Sequence, residues 1–268
     1  GKQIVFVSNR DQMIPKLFLM NADGSDQRCL TPENRFHSFP SFTPDGRQVI
    51  FCANYENADE VEVCSLALTG SSEPEILFSS PGMETEPTMS PDGKRIAFSS
   101  PRSGNLDIWE YSLESKEFRQ ITNHPGLDYG PAYSPDGSVI AFVSTRADNE
   151  GHSKEDSDIW MIPSDQEVEP TRLTHQKGAD RYVRWSPDGK FLVFCASEKS
   201  SGAARMQVID LERDRIVNVD YDRSKLVYEI GAQATGRGIL GIPIPEFVAK
   251  QFYDKSYFGS ERFPDWTR

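Results

Sequence analysis

The sequence predicts an all-β chain folded as a six-bladed β-propeller, with the C-terminal strand completing the first blade. Three observations carry this. A Ser/Thr-Pro-Asp-Gly turn recurs at Thr43–Gly46, Ser90–Gly93, Ser134–Gly137 and Ser186–Gly189. Four strand signals follow one another inside each repeat. The two ends of the chain match complementary parts of one repeat.

The first strand of each repeat runs into the turn through an aromatic residue or Met: Phe42, Met89, Tyr133 and Trp185. In the turn, Pro presets φ, Asp bonds back to its own backbone and Gly takes positive φ. The second strand follows at once, as Val49-Ile50-Phe51, Ile96-Ala97-Phe98, Ile140-Ala141-Phe142 and Leu192-Val193-Phe194. These runs are apolar on both sides of the pleat, so each sheet must be covered on both faces, as stacked blades are. Ser-x-Arg often closes the run, at Ser8, Ser100 and Ser144. The third strand is Leu17–Met20, Val61–Leu66, Asp107–Trp109, Asp158–Trp160 or Met206–Leu211. The fourth is short and ends in Leu-Thr or Ile-Thr, at Thr31, Thr122 and Thr174.

The turn glycines stand at 46, 93, 137 and 189, close to the roughly 40–45 residues of a four-stranded blade. The longest interval holds a polar insertion, 147–156, expected to be a mobile surface loop. Gly1–Phe6 matches the end of a turn plus a second strand, and Phe263–Thr267 matches a first strand. Pairing the two would close the ring without an exposed edge. The whole chain is thus read as one domain: regular repeats over 1–219, an irregular sixth blade over about 220–260, and a closing strand at 263–267. Within the sixth blade, Lys225–Ile230 and Gly238–Pro243 read as strands, but the turn motif is missing. Five regular blades plus an irregular subdomain is the alternative.

A formal charge of −12 over 268 residues disfavours nucleic acid, whose binding rests on neutralising phosphates. It suits a soluble protein with a cationic partner. Apolar runs are too short to span a membrane as helices. Cys29, Cys52, Cys64 and Cys195 are widely separated and form no C-x-x-C pair, so they read as small apolar residues rather than zinc ligands. There is no nucleophile elbow, phosphate loop or H-E-x-x-H.

With these repeats in view, the chain resembles the TolB-type, WD-like propeller repeat family. The likeness rests on Pro-x-aromatic-Ser-Pro-Asp-Gly, then apolar-x-Phe-x-Ser-x-Arg, then Ile-Trp or Leu-Phe, then Leu-Thr. It covers Gly1 to about Val219 and the join at Phe263–Thr267. The resemblance implies a periplasmic scaffold that binds protein partners through the propeller. The unpaired cysteines and the lack of a visible leader suggest a reducing compartment instead. Localisation stays open between periplasm and cytoplasm.

Candidate site residues come from aligning the repeats on Pro40, Pro87, Pro131, Val183 and Pro264. Three residues earlier stand His37, Glu84, Asp128, Asp180 and Glu261. These are expected to form an acidic collar at the channel mouth that binds a protein, a peptide or a small cationic ligand. Tyr129, Arg181, Tyr182 and Arg262 are expected rim contacts. Arg10, Arg102 and Arg146 fall on the same rim, and their pairing with the collar would favour a scaffold. The alternative is a metal-dependent carbohydrate-active enzyme, similar to oligogalacturonate lyase, with a metal near His37 and the acids. No motif requires a cofactor; a divalent cation at the mouth is the one addition the acids would accept, and its identity is open. The chain is expected to act as a monomer.

Overall fold

The computed structural model describes residues 2–10, 14–55, 60–69, 73–79, 83–146, 156–197 and 204–218. The first sheet has three strands, β1 (Gln3–Ser8), β2 (Lys16–Asn21) and β3 (Arg28–Cys29). The second holds β4 (His37–Phe42), β5 (Gln48–Ala53), β6 (Glu62–Ala67) and β7 (Glu75–Phe78). The third holds β8 (Thr85–Met89), β9 (Arg95–Ser100), β10 (Asp107–Ser112) and β11 (Phe118–Gln120). The fourth holds β12 (Asp128–Tyr133), β13 (Val139–Ser144), β14 (Asp158–Pro163) and β15 (Thr171–Arg172). The fifth holds β16 (Ala179–Trp185), β17 (Phe191–Ser197), β18 (Ala204–Asp210) and β19 (Arg215–Asn218). Every sheet is an antiparallel up-and-down blade with neighbours in chain order.

The architecture is an all-β propeller, with one correction. Among the described residues there are five blades, not six, and the five-bladed alternative is the one that matches. The segment read as a sixth blade lacks the Ser-Pro-Asp-Gly turn that starts each second strand. That segment, 220–260, and the closing strand Phe263–Thr267 lie outside the described residues, as does the insertion over 147–155.

All four turns close the same way. Asp45, Asp92, Asp136 and Asp188 each accept the preceding Ser or Thr hydroxyl at 2.5–2.6 Å. Each also accepts the amide two residues on, at 3.0–3.1 Å. These bonds, the hydroxyl first, hold the four carboxyls below the usual carboxylate range. The same hydroxyl accepts the first amide of the second strand at 2.9–3.1 Å. The turn glycines sit at φ 67°, 72°, 75° and 71°, a region that only Gly enters without penalty.

The core lies between blades, as the two-sided apolar runs require. Val49 and Phe51 pack with Val5, Leu17 and Leu19 of the first blade. Ile50 and Cys52, their neighbours in sequence, face the other way and pack with Ile96, Phe98 and Tyr111 of the third. The pattern repeats with Ala97 and Ile108 against Ile140 and Phe142, and with Val143 and Ile159 against Leu192 and Phe194.

The Leu-Thr ending of the fourth strand has a specific use. The ladder stops earlier than the sequence suggests, at Cys29, Gln120 and Arg172. Thr31, Thr122 and Thr174 then accept the third-strand amides of Leu17, Ile108 and Ile159 through their hydroxyls, each at 2.9 Å.

Each four-stranded blade ends on its inner side in β4, β8, β12 or β16, and each of these strands breaks register once in its middle. The break places Phe39, Glu86, Gly130 and Tyr182 at φ 51°, 55°, 64° and 60°. Pro40, Pro87 and Pro131 follow three of them, at a bulge where a missing N–H costs no ladder bond.

Candidate functional site

The collar positions sit where each inner strand begins. The His37, Asp128 and Asp180 amides donate to Pro15, Leu106 and Ser157 carbonyls of the preceding blade, at 3.0, 2.8 and 2.8 Å. Their side chains are therefore set into the blade junctions. His37, Glu84 and Asp128 are 0% exposed and Asp180 is 1% exposed. Glu261 and Arg262 lie outside the described residues.

Two collar acids hold an arginine of their own blade. Arg102 Nη2 donates to Glu84 Oε1 at 2.9 Å, and Arg146 Nη2 to Asp128 Oδ2 at 2.5 Å. The Ser-x-Arg spacing explains the aim: Ser100 and Ser144 hydroxyls each accept the arginine Nε, at 3.0 and 3.1 Å. The guanidinium planes also cover rings, Arg102 over Trp109 and Phe98 and Arg146 over Trp160 and Phe142. Trp109 and Trp160 are half-buried beneath these guanidinium groups. Arg10 keeps the same bond to its Ser8 at 2.9 Å and turns its Nη1 to Gln27.

The second blade replaces the arginine with Tyr55, whose hydroxyl is 2.8 Å from His37 Nε2 and donates to Glu33 at 2.5 Å. Burial, the largest effect, pushes the His37 imidazole below its usual range, with Glu33 working the other way. Among the described residues of the fifth blade neither kind of partner is found. Asp180 Oδ1 accepts Gln176 Nε2 at 2.8 Å. Burial raises the Asp180 carboxyl to about 7.

Of the expected rim contacts, Arg181 is exposed, while Tyr129 and Tyr182 are half-buried. Burial pushes both phenols up, and Arg181 opposes this at each. The structure adds two residues that the repeat alignment passed over. Glu86 occupies the left-handed bulge position next to Thr85 and is 9% exposed. Burial raises its carboxyl, and the Arg184 guanidinium acts against that rise. Its carboxylate lies against Gly130, where a Cβ would stand 3.4 Å from both oxygens. The signal was present in sequence: Phe39, Glu86, Gly130 and Tyr182 share one repeat position, and Glu86 is the one acid among them.

Among the described residues no group of three or more His, Cys, Asp or Glu is arranged to hold a metal ion. His37 faces Tyr55 and Glu33 rather than two collar carboxylates.

A family model described as the TolB beta propeller domain matches residues 1–216. The chain belongs to this family. The Tol-Pal system protein TolB of Gluconobacter oxydans (strain 621H) is 34% identical over 114 residues, covering 42% of this chain and 24% of that protein. The chain thus spans about a quarter of that TolB relative's length. The TolB crystal structure from Acinetobacter baumannii superposes with a TM-score of 0.69 at 20% identity, over 82% of this chain and 53% of that one. Oligogalacturonate lyase from Vibrio parahaemolyticus gives 0.56 at 16% identity, over 82% and 62%. At such identities the likeness to both solved structures is one of fold.

Proposed function

We propose that this TolB-family propeller is a non-catalytic scaffold that binds a protein or peptide partner at the collar rim, in an assembly of the Tol-Pal type and hence in the periplasm. The observation that carries this is the internal pairing of three of the collar positions. Glu84 and Asp128 are each closed by an arginine of their own blade, and the His37 ring by Tyr55. Groups so engaged serve the fabric of the propeller, and among the described residues no group of three or more His, Cys, Asp or Glu is arranged for a metal. The half-buried tyrosines Tyr129 and Tyr182, the exposed Arg181, and the Glu86–Arg184 pair form a mixed aromatic and charged rim, the composition favoured at interfaces.

The test is titration calorimetry of the purified chain against protein components of a Tol-Pal system. Saturable binding is expected, weakened about tenfold or more by Tyr182→Ala or Arg181→Ala. A parallel assay with oligogalacturonides and divalent metals covers the enzymatic alternative. Metal-dependent release of unsaturated products would overturn the scaffold reading.

A further inference from the structure

Two blade junctions share a plan: a buried carboxylate at the head of the inner strand takes a guanidinium delivered from the end of the second strand. Glu84 takes Arg102 and Asp128 takes Arg146. Each arginine lies over the second-strand Phe and the third-strand Trp, 5.1 Å from both rings for Arg102 and 5.5 and 5.2 Å for Arg146.

The next junction repeats the carboxylate and the Phe. Asp180 stands in the place of Glu84 and Asp128. Phe194 faces Gln207 across the ladder as Phe98 faces Trp109 and Phe142 faces Trp160. The Ser of the motif is Ser197, but its hydroxyl donates to the Ala179 carbonyl at 3.1 Å. Asp180 Oδ2 is buried and has no hydrogen-bond partner among the described residues. The charged groups that act on it are Asp158 on β14 and Arg172 on β15. Arg172 Nη2 is already committed to Asp158 Oδ2 at 2.8 Å. Thr174 also approaches from the end of the fourth strand, and Gln176 bridges Asp180 Oδ1 to Gln207 Oε1, at 2.8 and 2.7 Å. Arg172 thus pairs with Asp158, while Asp180 keeps one oxygen without a donor among the described residues. A buried carboxylate oxygen without a donor is costly.

We propose that Asp180 is the anchor of a binding site for a guanidinium side chain supplied by a partner, seated where Arg102 and Arg146 sit in their own blades. The site rests on the scaffold reading for the source of the group, and on geometry for its chemistry. A guanidinium supplies the N–H donors that Oδ2 lacks, in the planar arrangement that suits a carboxylate. It also draws the proton off a carboxyl that burial holds near neutrality, so binding releases protons at slightly acidic pH.

The test uses methylguanidinium as probe, with the full chain, at concentrations far below denaturing and against sodium chloride at equal ionic strength. Amide shifts around Gln176–Arg181 are followed by two-dimensional NMR. Saturable shifts are expected, weakened about tenfold or more in Asp180→Asn, a variant of nearly unchanged shape. Arg146→Ala, which vacates the matching site at Asp128, serves as the control for probe and method. Absence of saturable shifts in the wild type overturns the proposal, and so does equal binding by Asp180→Asn. Binding that appears only in Lys199→Ala also overturns it, because the chain's own residue at the motif's arginine position then fills the site. Because the probe is small, success or failure here is independent of whether any Tol-Pal component binds.

Discussion

Arg146 donates to Asp128 while lying over the ring of Trp160, and all three belong to one blade. One guanidinium therefore fastens the inner strand to the third strand across the second. Arg102 does the same with Glu84 and Trp109 in the blade before.

Removing one partner of such a pair leaves a buried charge behind. Arg146→Ala is expected to destabilise the chain by about 3–5 kcal/mol in urea unfolding. Adding Asp128→Asn should recover part of that loss, since no bare carboxylate remains. A double variant as unstable as the sum of the two singles would show that the pair contributes nothing as a pair.

Asp180 should give stability a distinct pH slope. Its carboxyl rises from 3.8 to about 7 on folding, so the folded chain holds the proton more tightly. Its contribution is full below pH 3.8 and is lost as pH climbs through about 7. The loss is at most about 4 kcal/mol. Asp180→Asn cannot titrate, so it should exceed the wild type in stability at pH 8 and come close to it at pH 4. Parallel pH profiles of the two proteins would refute the assignment.

Thr31→Ala should cost about 1–3 kcal/mol by leaving the buried Leu17 amide without an acceptor. Thr31→Ser keeps the hydroxyl and should cost less than half as much. The comparison is read from the midpoints of thermal or urea unfolding.

Two glycines separate backbone strain from an effect on the rim. A Cβ on Gly46 meets nothing within 4 Å, so Gly46→Ala should cost only the left-handed backbone, about 1–2 kcal/mol. Gly130 has a similar φ, and its Cβ would stand in ordinary contact with the Glu86 carboxylate at 3.4 Å. Gly130→Ala should therefore cost about the same in urea unfolding but, by touching Glu86, should also weaken partner binding, which Gly46→Ala leaves alone.

The turns and second strands were legible because their signal is local: Pro, Asp and Gly in order, then an apolar run that must be covered twice. The fourth strands were drawn too long, because a Thr hydroxyl replacing a ladder bond looks like continued strand in sequence. The collar residues were found by alignment, but their orientation was not. Nothing in the spelling of Asp128 shows that its amide is tied to Leu106 of the preceding blade, which draws the side chain into the junction. Glu86 was missed because the bulge that aims it is set by register between two strands. Register is a pairwise property that no single strand displays.

The broken inner strands have a further meaning for whatever enters the hub. A smooth strand edge offers an incoming extended peptide a ready-made ladder to extend. Here Pro40, Pro87 and Pro131 each withhold an amide at mid-edge, and the adjoining kink throws the carbonyls out of line. A guest cannot be gripped by backbone along these walls. It has to be chosen by side chains, so what the ring admits can be retuned one residue at a time without disturbing the blades.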